Sequence, residues 1–334
     1  MPHFQIKAAC RDNTLRVDLG KEIRDKLWGE EFGEILKAIS QKQYRGNVFN
    51  HLVLSLARCH WADPLPLISA IIGLCEFNRS HGYSLVILPS PSATSAQKFL
   101  KFLAQEGFIT QLQNNGISVQ SGGGIRVTLT QVDEFKRLTP SLTYLNSLCV
   151  PAQVFDISGP GEPQNLAKSK LDLLLDPIES LLESKIPKWA RSDLYYRLRL
   201  FLQETLANIV EHAYPGRSTG RWAGIYVRYR AGEFKLPQAQ RTEWEKAIND
   251  ENNHCPRLDA AYWHGKTGCL EAFVIDAGIG MVESFEKQED IKKYKYPFVE
   301  LLKQVFAGKT TKPPEQRPTA AGGLQLIHSA LGAN

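Results

Sequence analysis

Glu204 and Asn208 lie four residues apart in the stretch SDLYYRLRLFLQETLANIVEHAY, Ser192 to Tyr214. On a helix that spacing projects a carboxylate and an amide from one face, one turn from each other. A carboxylate so placed can orient and deprotonate an attacking oxygen. The neighbouring amide oxygen can take one position on a magnesium ion, which keeps most of its waters and needs few protein oxygens. Further along, the apolar run Leu270 to Ile275, interrupted by Glu271, leads into Asp276, within VIDAGIGM. The Asp276 carboxylate can accept a hydrogen bond from an adenine amino group, and Gly278 and Gly280 let the backbone turn tightly against the base. In TAAGGLQLI, Thr319 to Ile327, Gly322 and Gly323 open what reads as a helix through Leu326 and Ile327. Free amides at the start of such a helix would face phosphates.

Singly, each stretch has a plainer explanation: a solvated helix residue, a strand-ending turn, a flexible tail. Jointly and in this order they resemble the GHKL ATPases, the family of gyrase, Hsp90, MutL, histidine kinases and the anti-sigma serine kinases. The first stretch looks like the family's N box, and the second and third like its two glycine boxes. The resemblance implies an α/β-sandwich ATP-binding domain over residues 161–334. ATP and magnesium would be held by Asn208, His212, Asp276, Gly278, Gly280, Lys309, Thr319, Gly322, Gly323 and Leu324, with Glu204 as general base and Asn208 on the metal. His212 stands where the family often has a basic residue near the phosphates; a helix-capping or packing histidine explains it nearly as well. Between the glycine boxes the family keeps a mobile lid, which falls on about 282–318 here. Phe298, Leu301, Leu302, Val305 and Phe306 suggest a helix within it. Lys309, Thr310, Lys312 and Arg317 are its candidates to reach the γ-phosphate, against a solvated basic loop as the alternative. The family continues through a further helix and two strands, whereas this sequence stops eleven residues after Gly323, so a sheet without its last strands is expected.

The helix that carries Glu204 is marked by Leu194, Leu198, Phe201, Leu202, Thr205, Ile209 and Ala213 at three- and four-residue steps, which predicts one buried face. Ser192 and Asp193 sit where an N-cap belongs, and Pro215-Gly216 follows as a stop. A leucine-rich helix is predicted before it, Leu171 to Ser184. After it, Trp222 to Arg230 sets Ile225, Val227 and Tyr229 against Arg228 and Arg230, the pattern of a half-buried strand. The polar residues 231–268 read as an insertion. DISGPGEPQNLAKSK, Asp156 to Lys170, is rich in Pro, Gly and polar residues and marks a boundary between a domain at 1–160 and one at 161–334.

In the N-terminal half strands and helices alternate. Leu15, Val17 and Leu19 predict a strand; Phe32, Ile35, Leu36 and Ile39 a helix; His51 to Ala57 a strand. A helix through Ile68, Ile71, Ile72 and Cys75 follows, then a strand Ser84 to Leu88 closed by Pro89-Ser90-Pro91, then a helix Ala96 to Gln105 ending at Gly107. Such alternation implies parallel pairing and α/β layers. Gly122 to Gly124 lacks the Lys-Ser/Thr of a phosphate loop and reads as a hairpin turn. This half resembles a STAS-type domain, the fold of anti-sigma-factor antagonists, through a strand, then ADPLPL from Ala62 to Leu67, then a helix. In phosphorylated members a serine follows the Asp of that turn. Pro64 occupies the place here and has no hydroxyl to phosphorylate; Ser69, a turn on, reads as a helix residue.

With 334 residues, 43% hydrophobic and 22% charged, the composition is that of an ordinary globular protein of two domains. A net charge of +5 does not indicate nucleic acid as a partner. No apolar run is long enough to span a membrane and the N-terminus lacks an apolar signal core, so a cytoplasmic protein is expected. The six cysteines are scattered singly, as expected of reduced thiols. His254, Cys255, His264 and Cys269 are close in sequence but fit no zinc spacing. Three functions stay open: an ATP-driven conformational switch of bacterial signalling type that hydrolyses ATP and engages an unidentified protein partner or a second copy of itself; a protein serine kinase of the anti-sigma type; and a nucleotide-binding regulatory module with weak catalysis. The switch is preferred.

Overall fold

The computed structural model describes residues 7–23, 35, 38–39, 41–80, 82–138, 148–159, 163–186, 188–214, 216–217, 219–230 and 269–278. Its first sheet has six strands in sequence order: β1 Lys7–Arg11, β2 Thr14–Asp18, β3 His51–Ser55, β4 Tyr83–Ile87, β5 Ser118–Ser121 and β6 Ile125–Arg126. Strands β2, β3, β4 and β5 run parallel, as their alternation with helices predicts. The two edge strands fold back antiparallel. One of those hairpins turns at Gly122 to Gly124, where Gly123 and Gly124 take φ of 101° and 81°, the conformation that glycine adopts without strain. Leu15, Val17, Leu52, Leu54, Val86 and Val119 bury one face of this sheet, while Arg16, His51 and Tyr83 on the other are exposed.

Helices α1 Pro64–Arg79, α2 Thr94–Gln105, α3 Phe108–Asn114 and α4 Leu129–Arg137 belong to this half. Gly107, at φ 81°, separates α2 from α3. Pro64 occupies the first turn of α1, where its missing N–H is not needed. Ser69 Oγ donates to the Leu65 carbonyl one turn back, so it is a helix residue as its position suggested. Of the predicted helix at Phe32 to Ile39, only Ile35, Ala38 and Ile39 lie within the described residues, and all three are buried.

A second sheet joins β7 Leu148–Asp156, β8 Trp222–Arg230 and β9 Cys269–Asp276, antiparallel in that order. Helices α5 Pro163–Lys185 and α6 Lys188–Asn208 cover one face, packing on Ala223, Ile225, Val227 and Tyr229. The opposite face carries Trp222, Tyr226, Phe273 and Ile275 into the core of the N-terminal half. Helix α1 lies between the two sheets. Leu67, Ala70, Ile71 and Leu74 face Leu54, Leu56, Val86 and Leu88 of the first sheet across a small apolar cavity. Ile68 and Ile72 press on β8, where a Cβ at Gly224 would overlap Ile68 and come within 3.2 Å of Ile72 Cδ1. A helix buried on all sides must be apolar on all sides, which is the pattern of PLPLISAIIGLCEF.

Several predicted boundaries move. Strand β8 is central, and its second face is buried rather than solvated. Arg228 is only 8% exposed; it is paired with Glu271 across the ladder, with its guanidinium 5.9 Å from the centre of the Tyr226 ring. Helix α5 begins at Pro163, inside the segment Asp156 to Lys170 that reads as linker, because proline suits a first helical turn as well as a loop. Strand β7, ahead of that segment, pairs with β8 beyond it. The N-terminal half also satisfies the outer edge of β7: Ala152 N–H donates to the Glu106 carbonyl (2.8 Å), and Val154 N–H to Gln111 Oε1 (2.9 Å). Cys10, Cys59, Cys75 and Cys149 are free thiols, and burial pushes Cys59 and Cys75 up to about 12. Among the described residues no helix is long and apolar enough to cross a membrane.

Candidate functional site

Helix α6 starts earlier than its Ser192-Asp193 cap signal predicts. The preceding α5 ends only a few residues away, and Arg191 closes the hairpin by donating to the Ile186 (2.7 Å) and Glu183 (2.8 Å) carbonyls. These are the orphan carbonyls of a helix end. Asp193 therefore sits inside the helix and accepts from Arg197 (2.8 Å) one turn on. The buried stripe is also displaced. Leu198, Leu202, Leu206, Ala207, Ile209 and Val210 are buried, whereas Leu194, Phe201, Thr205 and Ala213 are half-buried.

The helix closes in a π turn over Ile209–Ala213, a feature frequent at functional sites. Eight residues of ordinary α-helix would rotate His212 by about 80° from Glu204, and a wider final turn takes back part of that drift. Glu204 and Asn208 are both half-buried, beside the stripe rather than within it. The Asn208 Nδ2 atom is buried with no hydrogen-bond partner among the described residues. His212 Nε2 lies 3.4 Å from Glu211 Oε2.

The end of this helix meets the end of β9. A Cβ on Gly278 would overlap the Ala213 carbonyl oxygen and stand 2.6 Å from Ala213 Cβ. Only glycine allows this approach. Two residues earlier, Asp276 Oδ1 accepts from the Gly278 N–H (2.8 Å). Burial raises the pKa of Asp276, and that N–H partly offsets it. The first and second predicted stretches therefore touch, through Ala213 and Gly278. Gly280, Lys309, Thr319, Gly322, Gly323 and Leu324, with the lid at 282–318, lie outside the described residues, as do the 231–268 segment and His254, Cys255 and His264.

Sequence reasoning missed Tyr214. Its buried hydroxyl donates to the Trp222 carbonyl (2.6 Å) and accepts from the Ala277 N–H (2.9 Å). An aromatic residue at a helix end reads as core, and the partners that make this one polar are set by strand register. The sequence also did not show how the N-terminal half braces this corner. Arg217, just past the helix, pairs with Glu76 of α1 (2.7 Å), and Arg79 of α1 pairs with Asp156 of β7. No protein-family model matches the chain, and no curated protein matches it.

Proposed function

We propose that the chain is an ATP-binding GHKL-type ATPase that works as a nucleotide-dependent switch. One observation carries the reading: the Asp276-Ala277-Gly278 turn is seated by a glycine-only contact on the end of the helix that holds Glu204 and Asn208. Two groups support the fit of ATP. Among the described residues Asn208 has a buried amide nitrogen without a partner, a costly condition that an acceptor such as a phosphate oxygen relieves. Asp276 is a half-buried acceptor whose side chain is held by its own turn.

Bound magnesium would supply charge neutralisation of the triphosphate. Asn208 would hold that ion through its amide oxygen. Glu204, one turn earlier, would orient the attacking water and take its proton. Asp276 would accept from the amino group of the base, more strongly when ionised than when protonated. Its affinity for the base therefore weakens, without being lost, as pH drops through its raised pKa. The α/β half ahead of the site, braced on it through α1, is the natural relay to a protein partner.

ATP with magnesium is expected to raise the melting temperature of the full chain. Glu204→Gln should lower phosphate release by about a hundredfold or more while ATP binding persists. No label should pass from γ-labelled ATP to protein; transfer to a serine would select the kinase instead. Absence of any ATP-dependent shift in melting would overturn the reading.

A further inference from the structure

We infer that Tyr214 is a positioning residue for base recognition: its hydroxyl stands as a rung between β8 and β9 and fixes where Asp276 is presented. The inference rests on the nucleotide reading above and adds a residue and a role to it.

The ladder between β8 and β9 places Ala223 opposite Asp276, and continuing the same register places Trp222 opposite Ala277. At that next step the strands are joined through a phenol oxygen. The Trp222 carbonyl accepts from the Tyr214 hydroxyl, and that hydroxyl oxygen in turn accepts from the Ala277 N–H. An inserted hydroxyl spaces two backbone groups farther apart than a direct N–H···O bond does. Strand β9 thus leaves the sheet immediately after Asp276, as the bend that carries Gly278 onto Ala213 requires.

Three features hold the rung in place. Tyr214 is only 5% exposed. Its backbone follows directly on the π turn, so the helix end sets its position. The Arg217 guanidinium lies 6.0 Å from its ring centre while pairing with Glu76 of α1. The hydroxyl uses both its donor and an acceptor site on backbone groups, so it has a structural duty toward the turn and no spare proton for chemistry. Loss of the oxygen would leave Trp222 and Ala277 free to close into a direct rung or to part, and either change moves Asp276 relative to the helix.

The test compares wild type with Tyr214→Phe by calorimetry against ATP, GTP and inorganic tripolyphosphate, each with magnesium. Wild type should prefer ATP to GTP. In Tyr214→Phe, ATP affinity should fall about tenfold, the size of one well-placed hydrogen bond, and the ATP-over-GTP preference by a similar factor. Tripolyphosphate affinity should stay as in wild type. Equal losses for all three ligands would show a merely structural role and overturn the inference, as would unchanged ATP affinity. A wild type that binds none of the three removes the nucleotide reading itself. Should Tyr214→Phe not fold, hydrogen exchange at the Ala277 amide of wild type decides: slower exchange with ATP supports the rung, and exchange unaffected by ATP, in a chain that binds it, overturns it.

Discussion

The two sheets of this protein solve the same problem differently. The first buries one face and leaves Arg16, His51 and Tyr83 of the other in contact with solvent. The second buries both, with α5 and α6 on one side and α1 of the N-terminal half on the other. A sheet with one open face tolerates charge there at little cost, whereas in a sheet enclosed on both faces an unpaired polar group is costly. Arg228 is paired with Glu271 and the Tyr226 hydroxyl with Glu106 at the second sheet, while the buried Trp222 Nε1 has no partner among the described residues. Enclosure also fixes the strand that ends at Asp276, since Phe273 and Ile275 reach into the N-terminal core while Ala272 and Val274 pack under the helices. The candidate site is thus built at the end of β9, in the more constrained sheet.

The comparison breaks most readily at Gly224. Gly224→Val should cost about 3 kcal/mol or more by forcing α1 off β8, seen as an early denaturant midpoint. Combining Gly224→Ala with Ile68→Ala should cost less than the sum of the two, because the methyl that a new Cβ would meet is gone. Full additivity would show that α1 does not press on β8 there. Tyr226→Phe removes a donor from the buried Glu106 carboxylate and should cost about 1–3 kcal/mol in the same assay.

Asp276→Asn sharpens the contrast in the opposite direction. Because burial raises its pKa, ionised Asp276 opposes folding: its stabilising protonation is present at low pH and is lost as pH rises through the folded value. Base binding favours the ionised form, so the two demands conflict. The asparagine variant should therefore melt a few degrees higher at neutral pH and lose the pH dependence from this group, while binding ATP about tenfold more weakly. A lower melting temperature would contradict this account. On the open face of the first sheet, Arg16→Gln breaks a pair with Asp18 whose side chains are 51% and 40% exposed. It should change stability by no more than about 0.5 kcal/mol.

Legibility followed the range of the interactions. The parallel strands of the first sheet were readable because Leu15 and Val17, or Leu52 and Leu54, alternate in the pattern that a one-sided sheet demands. The hairpin at Gly122 to Gly124 and the helix end at Gly107 were readable because positive φ selects glycine locally. Strand β8 was misjudged because Arg228 looks solvated until Glu271, from a distant strand, is placed beside it. The start of α6 was misjudged because Ser192 and Asp193 carry a local cap signal that Arg191 and the turn from α5 override.

The sequence by itself marked many of the helices and strands, though not β1, β7, α3 or α4, and it singled out Glu204, Asn208, Asp276 and Gly278 as chemically capable. Tertiary structure alone decided that α1 serves two sheets, that Gly278 rests on Ala213, and that the Tyr214 hydroxyl joins Trp222 to Ala277. Periodicity and turn chemistry act between neighbours along the chain and are written in it. Contacts between residues 65 or 156 positions apart, as with Ala213 and Gly278 or Ile68 and Gly224, depend on packing that no local pattern records.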